Sequence, residues 1–357
     1  MEQNPKTNII GKKFVSRKEL KDWILNDPTP RTTISFYRYV NIENPEELRD
    51  QLLQSWGDLG VLGRIYLAKE GINSQMNVPT ANYAKFLDVL NADKRFENMP
   101  IKIAVEDDGK SFYKLTIKVR HKIVADGLND DAFDTTNVGN HMSAKEFNEA
   151  LEDPETIVVD MRNQYESEVG RFEGAICPDA DTFREELPMV VDMLKDKKDK
   201  KVLLYCTGGV RCEKASAYLK HEGFQDVNQL LGGIIDYARQ IKAEGIESKF
   251  KGKNFVFDER IGERITDDIL SECHQCGSAC DTHTNCKNDD CHLLFIQCQD
   301  CDAKMEGCCT PKCKEITALP IEEQRQIRKT GQAKKESLSV YKSRLRPNLK
   351  KILQEQS

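Results

Sequence analysis

No apolar run in the 357-residue sequence approaches the roughly 18 residues that cross a bilayer. The opening stretch, MEQNPKTNIIGKKFV, lacks the apolar core of an export signal. Together these absences predict a cytoplasmic protein with no membrane partner. No repeat of solenoid length occurs, and no flavin, nicotinamide or non-haem iron motif is present, so the residues name no redox cofactor. The formal net charge of −6 shows no overall basic excess. Hydrophobic content of 39% and charged content of 31% exclude a disordered chain. Cysteine, by contrast, is plentiful. In a reducing compartment, thirteen cysteines serve as metal ligands or nucleophiles more often than as disulfides.

The chain divides by pattern. Residues 1–30 read as an N-terminal extension with one short helix, started by a capping box of Ser16 and Glu19. TTISFYRYV (32–40) reads as a strand, and Asn44-Pro45-Glu46-Glu47 opens a helix. GRIYLA (63–68) is a second strand and ANYAKFLDVL (81–90) a second helix, with two further strands around IKIAVE and FYKLTIKVRHKIV. The order β-α-β-α-β-β predicts an α+β domain of ferredoxin or acylphosphatase type over residues 31–125. A second unit, 140–248, starts on a capping box of Ser143 and Glu146. Its strands ETIVVDMR, KVLLYC and VNQLL alternate with helices, which predicts a parallel sheet covered on both faces. A cysteine-rich segment (250–316) and a basic helical tail (317–357) follow. From Pro320 onward ten Lys or Arg stand against four Glu, which suits either a nucleic-acid contact or a solvated helix.

The chemistry concentrates in KVLLYCTGGVRCEKASAYL (201–219). Cys206 ends a buried strand, where parallel sheets place their sites. Thr207, Gly208, Gly209 and Val210 form a loop, and Arg211 opens a helix. Glycines let backbone N–H groups turn inward, the helix dipole points its positive end at the sulfur, and Arg211 is expected to close the ring with fixed donors. Such a site suits a thiolate or an anion carried on sulfur. The bland alternative is a buried strand-end cysteine before a tight turn. Cys212, in the first helical turn, is either a small apolar residue or a partner that resolves an oxidised Cys206.

Between Cys273 and Cys313 lie ten cysteines. Cys273-x2-Cys276 and Cys298-x2-Cys301, twenty-one residues apart, supply four thiolates for one tetrahedral Zn²⁺. Cys280, Cys286, Cys291 and one of Cys308, Cys309 or Cys313 could serve a second ion. Zinc would also supply folding energy that so polar a segment lacks; the spacing matches no ferredoxin pattern. In YKLTIKVRHKIV, alternation puts Lys114, Thr116, Lys118, Arg120 and Lys122 on one face. That face is either solvated or a strip for the phosphates of a nucleic acid.

Protein tyrosine phosphatases place one more residue between Cys and Arg than the four present here; this smaller loop resembles that of rhodanese-type sulfurtransferases. Asp160, Arg162 and Glu166 resemble the rhodanese Asp-x-Arg segment, and LLGGI (230–234) its late Gly-Gly turn, while Arg171 stands where many rhodaneses carry His. YCTGGVRCEKASAYL, MRNQYESEVGRFEGA, KEGIN (69–73) and CHQCGSACDTHTNC together resemble the bacterial tRNA uridine hydroxylase family, over roughly residues 31–313. The resemblance implies oxygen-dependent 5-hydroxylation of the wobble uridine in the anticodon loop, with molecular oxygen as co-substrate and Cys206 as the active cysteine beside Cys212. It implies an α/β rhodanese-like catalytic domain after the α+β domain and before the zinc-binding segment. The rival expectation is a sulfurtransferase passing a Cys206 persulfide to an acceptor; a third is a non-catalytic tRNA-binding protein.

Overall fold

The computed structural model describes residues 17–128, 132–330 and 348–355. Ser16 of the expected capping box and residues 331–347 of the basic tail lie outside the described residues.

Helix α1 (Arg17–Asn26) precedes the first domain. That domain contains β1 (Arg31–Tyr39), α2 (Pro45–Asp58), β2 (Leu62–Ala68), β3 (Gly71–Pro79), α3 (Tyr83–Ala92), β4 (Lys102–Ile103) and β5 (Leu115–Val119). The strands run in the order β4-β1-β3-β2-β5. All pairings are antiparallel except β2 with β5. The expected order β-α-β-α-β-β is corrected to β-α-β-β-α-β-β, because β3 is a strand and the central one. GINSQMNVP carries four polar residues and no alternation, so it does not read as a strand, although it is buried along most of its length. Pairing on both sides supplies what its propensity lacks. Gly71 permits the tight β2–β3 connection, since its φ is 147° and a Cβ there would stand 2.1 Å from the Arg38 carbonyl oxygen. Helix α2 starts where Asn44 Oδ1 accepts from the Glu47 N–H at 3.2 Å. Its Trp56 packs against Phe36 and Phe86 in the core. Truncating so large a buried ring to alanine costs about 3–5 kcal/mol.

The second domain follows as β6 (Asn140–Met142), α4 (Ala144–Ala150), β7 (Ile157–Asp160), α5 (Gln164–Ser167), β8 (Gly170–Phe172), α6 (Phe183–Met193), β9 (Lys201–Tyr205), α7 (Val210–His221), β10 (Asp226–Leu230) and α8 (Gly233–Glu244). Its sheet, β6-β10-β9-β7, is parallel throughout. The expected capping box of Ser143 and Glu146 is formed. Alternation along β9 divides the core: Val202 and Leu204 pack with α6 and α7, and Leu203 and Tyr205 with α4 and α8. Burial on both faces holds β9 in place up to Tyr205, and the next residue, equally buried, is Cys206.

The cysteine-rich segment is joined to this domain by β11 (Phe250–Phe255), which pairs with β8 on one side and β12 (Gly262–Arg264) on the other. Beyond it lie the hairpin β13 (His283–Asn285) and β14 (Leu294–Ile296), then α9 (Gln299–Met305), α10 (Pro311–Ala318), α11 (Ile321–Thr330) and α12 (Leu349–Gln354). No helix among the described residues is long and apolar enough to cross a membrane.

Candidate active site and cysteine centres

Cys206 sits at the carboxyl end of β9 and is fully buried. Gly209 takes a φ of 97°, which a side chain would resist, and donates its N–H to the Cys206 sulfur at 3.1 Å. The Gly-Gly turn before α8 supports the loop from behind: Ile234 N–H donates to the Cys206 carbonyl at 3.0 Å and Ile235 N–H to that of Thr207 at 3.2 Å. A Cβ on Gly233 would stand 2.8 Å from Gly208.

Burial pushes the Cys206 thiol up, but the Cys212 thiol, the Arg211 charge and the backbone N–H groups of Cys212 and Arg211 outweigh it and bring the pKa down to about 5. Cys206 is a thiolate at neutral pH. Burial and the adjacent Cys206 push the Cys212 thiol well up, so this pair divides into one anion and one donor. The donors of Arg211 do not close a ring on the sulfur as expected. They lie on Glu166, Nη1 to Oε1 at 2.7 Å and Nη2 to Oε2 at 2.9 Å, with Nη2 also 3.3 Å from the Thr207 hydroxyl. Arg211 therefore acts on Cys206 through its charge, and Glu166 and Thr207 fix its place. Asp160 and Arg162 form a wholly buried bidentate pair, and Arg162 also donates to the Gly170 carbonyl at 2.6 Å. These two tie β7 to β8 rather than touch the sulfur. Arg171 donates to the Ser167 carbonyl at 3.2 Å and lines a different cleft, with Cys177, Glu168 and His274.

Glu186, a residue not singled out in the sequence, lies on the face of α6 shared by Phe183, Leu187 and Val190, which packs on Cys206 and Cys212. It is fully buried, and neither carboxyl oxygen has a hydrogen-bond partner among the described residues. Burial, against the pull of Arg211 and with added push from Asp160, Glu166 and Cys206, holds its carboxyl well above the ordinary 4.5. The only sequence signal is a glutamate at core spacing in FREELPMVV. A raised folded pKa gives stability that is complete below the unfolded pKa and is lost as pH rises through the folded value. Glu186→Gln removes that loss. The expected result is a thermal unfolding gain on the order of 1–3 kcal/mol at pH 8 and little at pH 4.5. An equal shift at both pH values would contradict a neutral Glu186.

The first domain braces the helix that carries the loop. Tyr37 donates to Glu213 Oε1 at 2.9 Å, and Tyr39 to the Val210 carbonyl at 3.2 Å. Glu213 also meets His141 and Gln229. Glu70 of KEGIN pairs with Lys214 at 2.8 Å and accepts from the Ile123 N–H at 2.7 Å. That motif therefore connects β2–β3 to α7, a role invisible in its spacing alone.

On β5, Lys118 and the following Arg120 are exposed, Arg120 with its guanidinium 5.8 Å from the Tyr66 ring centre. Lys114 and Thr116 lie on the same side, and Thr116 pairs in register with Arg64, which is exposed on β2. Lys122 turns inward, donating to Asp126 Oδ1 at 2.7 Å and to the Leu128 carbonyl at 2.8 Å.

The structure draws eight cysteines into two groups, each with its sulfurs within 4.8 Å of one another: Cys273, Cys276, Cys298 and Cys301, and Cys286, Cys291, Cys309 and Cys313. Cys280 and Cys308, expected among the ligands, stand outside both. The Cys280 sulfur accepts from the Thr282 N–H at 3.5 Å, and the Cys308 sulfur lies 3.5 Å from the Thr317 hydroxyl. The groups fit zinc by geometry. Four Zn–S bonds of about 2.3 Å in a tetrahedron separate the sulfurs by about 3.8 Å, and Cys276–Cys298, Cys291–Cys309 and Cys309–Cys313 are 3.6, 3.6 and 3.7 Å apart. Backbone N–H groups of Cys298 and Cys309 point at Cys273 and Cys286 sulfurs, as suits thiolates. His274 is no ligand: it is held between Glu168 at 2.7 Å and the Ile296 N–H at 3.1 Å, linking the first group to the second domain.

Comparison with known proteins finds three family matches along the chain. Residues 31–123 match a UPF0176 acylphosphatase-like domain, 143–240 a rhodanese-like domain and 251–314 a rhodanese C-terminal region. A solved rhodanese-like domain protein from Staphylococcus aureus is 24% identical, covering 28% of this chain and 90% of that one at a TM-score of 0.24. A curated relative from Leptospira interrogans, named tRNA uridine(34) hydroxylase, is 55% identical over 98% of this chain and 94% of its own. One of the same name from Yersinia enterocolitica is 56% identical over 87% of this chain and 89% of its own. With this identity sustained over nearly its whole length, the chain belongs to the tRNA uridine(34) hydroxylase family.

Proposed function

We propose that this enzyme hydroxylates C5 of the wobble uridine of tRNA, with molecular oxygen as co-substrate and Cys206 as the catalytic thiolate. The observation that carries the assignment to Cys206 is its place at the end of β9, where the Gly209 N–H lies 3.1 Å from its sulfur and Arg211 stands in the first turn of the following helix, an arrangement that brings its pKa down to about 5. Cys212 is the nearby proton donor and resolving thiol. Thr207, Gly208, Gly209 and Val210 shape the loop, and Asp160 and Arg162 keep its sheet edge in place. Within this division residues 31–125 help contact tRNA, 140–248 hold the catalytic centre, and 250–316 fold around zinc. The enzyme works in the cytoplasm, where its substrate is.

An anticodon-loop uridine is unpaired and can be splayed out, so the loop at Cys206 need contact little more than one base. Most affinity then comes from phosphates elsewhere. Exposed Lys118 and Arg120, with Lys114 and Arg64 beside them, are the candidate strip; Lys122 is engaged by Asp126 and contributes less. Changing Lys118 and Arg120 to Ala is expected to weaken tRNA binding and to flatten its salt dependence by roughly 0.7–0.9 for each phosphate no longer neutralised. Unchanged affinity and slope across a salt series would make the face a solvated one.

A second reading retains support from the same thiolate, since a rhodanese-type loop also cradles a persulfide. Nucleoside mass spectrometry of tRNA from a deletion strain, with and without the gene restored, separates the two. Loss and recovery of 5-hydroxyuridine-derived nucleosides is the hydroxylase outcome. Loss of thiolated nucleosides is the sulfurtransferase outcome.

A further inference from the structure

The face of the N-terminal sheet turned from its own core carries Tyr37 and Tyr39 on β1, and both reach the Cys206 loop. A Cβ on Gly209 would meet the Tyr37 hydroxyl at 2.7 Å, so this phenol lies directly on the loop. Short β4 pairs Lys102 with Ser35, two residues before Tyr37, and sets the lysine ammonium 4.7 Å from the Tyr37 ring centre.

Lys102 is only 4% exposed. Apart from that ring, its ammonium has no hydrogen bond and no carboxylate within ion-pair distance among the described residues. Burial lowers its pKa, while Asp236, Cys206 and Glu213 oppose that change from farther away. Removing an ammonium from water without a close counter-ion is costly, and such groups gather at sites where a ligand completes them. Open space lies on the same loop that Tyr37 touches. A Cβ on Gly208 would meet nothing within 4 Å, whereas one on Gly209, Gly232 or Gly233 would strike Tyr37, Asp236 or Gly208.

We propose that Lys102 is a substrate-binding residue of the Cys206 site, donating a hydrogen bond to a ring carbonyl oxygen of the pyrimidine that stands over Gly208. The inference rests on the uridine reading and adds the group that recognises the base. The charges around Lys102 favour a carbonyl over a phosphate. Asp236, Cys206 and Glu213 are three acidic groups acting on one ammonium from beyond ion-pair distance, and the nearest donors of Arg211 are already engaged by Glu166. A phosphate would add another anion there, whereas a neutral ring brings only partial negative charge. An ammonium on that oxygen also stabilises any charge the ring gains when it reacts.

Full-length wild type, Lys102→Met and Lys102→Arg are expressed in the deletion strain and 5-hydroxyuridine-derived nucleosides are quantified, while the purified chains are titrated with unmodified tRNA. Lys102→Met is expected to lower modification by about tenfold or more, the value of one hydrogen bond to a charged group, with partial recovery in Lys102→Arg. Affinity for tRNA should stay within about threefold, because many phosphates share it. Unaltered modification in Lys102→Met would overturn the proposal, and so would affinity falling in step with modification, which would make Lys102 a phosphate contact. If the wild type restores no 5-hydroxyuridine, the hydroxylase reading fails separately. The charge at the site is then read from alkylation of Cys206, as the ratio of rates with iodoacetate and iodoacetamide. Lys102→Met should lower that ratio by about threefold or more, and Lys102→Arg should restore it. Should Lys102→Met not fold, Lys102→Gln carries the same expectation, and an unchanged ratio overturns the role.

Discussion

A Cys206→Ser chain is expected to fold as the wild type does and to leave the tRNA of a deletion strain without 5-hydroxyuridine. Oxygen replaces sulfur with a small loss of volume in a site whose walls are set by β9, α7 and the turn before α8, so thermal unfolding should hardly move. The chemistry disappears because a serine hydroxyl stays protonated where Cys206 titrates at about 5. The same depressed value has a direct readout in the wild type. A folded pKa below the unfolded one means thiolate across the neutral range and protonation only as pH falls through about 5. Alkylation of Cys206 by iodoacetamide should therefore be nearly flat from pH 7 to 9 and fall off towards about pH 5, where an ordinary thiol would titrate near pH 8.5. Cys212, pushed well up by burial and by Cys206, should remain unlabelled at pH 7. Arg211→Lys keeps a cation but loses the bidentate fork on Glu166, so the midpoint should move up while the chain still folds. A Cys206→Ser chain that restores the modified nucleoside would sink the catalytic assignment.

How much of this was legible depends on whether a residue's role is local. The strand-loop-helix around Cys206 is local: an apolar run, two glycines and an arginine in register specify it, and the structure reproduces it. The first cysteine quartet is nearly local, since two C-x2-C knuckles announce themselves by spacing. The strand β3 was not legible, because its polar composition is overruled by pairing with strands on both sides. Nor could spacing alone choose among Cys308, Cys309 and Cys313. The choice is made by a turn: Thr310 caps α10 by accepting from the Cys313 N–H, which sets Cys309 and Cys313 3.7 Å apart, while the Cys308 sulfur turns towards Thr317. The long-range residues are the ones sequence reasoning missed altogether. Tyr37 and Lys102 come from another domain, and Glu186 from a helix whose other core-facing residues are apolar; Glu70 was noticed only as part of KEGIN, without its partner Lys214. Arg211 was expected to donate to the sulfur, since nothing in CTGGVR says that Glu166, forty-five residues earlier, will engage both of its terminal nitrogens.

Two zinc ions per chain are the second large expectation, and the two cysteine groups make it divisible. Protein purified anaerobically should carry two metal equivalents by elemental analysis. Cys301→Ser and Cys309→Ser should each retain one, whereas Cys280→Ser and Cys308→Ser should retain both, because their sulfurs lie outside the groups. The energetic stake is large. The hairpin β13–β14 is one of the few regular sheets here, and much of the local core consists of the cysteines themselves with Leu293, Phe295 and Ile296. Without metal that core would hold clustered thiols in place of coordinated thiolates. Structural zinc contributes on the order of 10–16 kcal/mol in small domains, far above what so few apolar residues supply. Chelation should therefore unfold residues beyond β12 at temperatures where the two preceding domains stay folded, since β11 remains held by β8. It should also loosen the His274–Glu168 link to the rhodanese-like domain. Hydrogen exchange before and after chelation resolves this: rapid exchange confined to roughly residues 270–316 is the expected pattern. A metal-free chain whose amides there remain protected would show that packing alone holds the segment, and a Cys308→Ser chain reduced to one ion would show that the second group is drawn from the wrong cysteine.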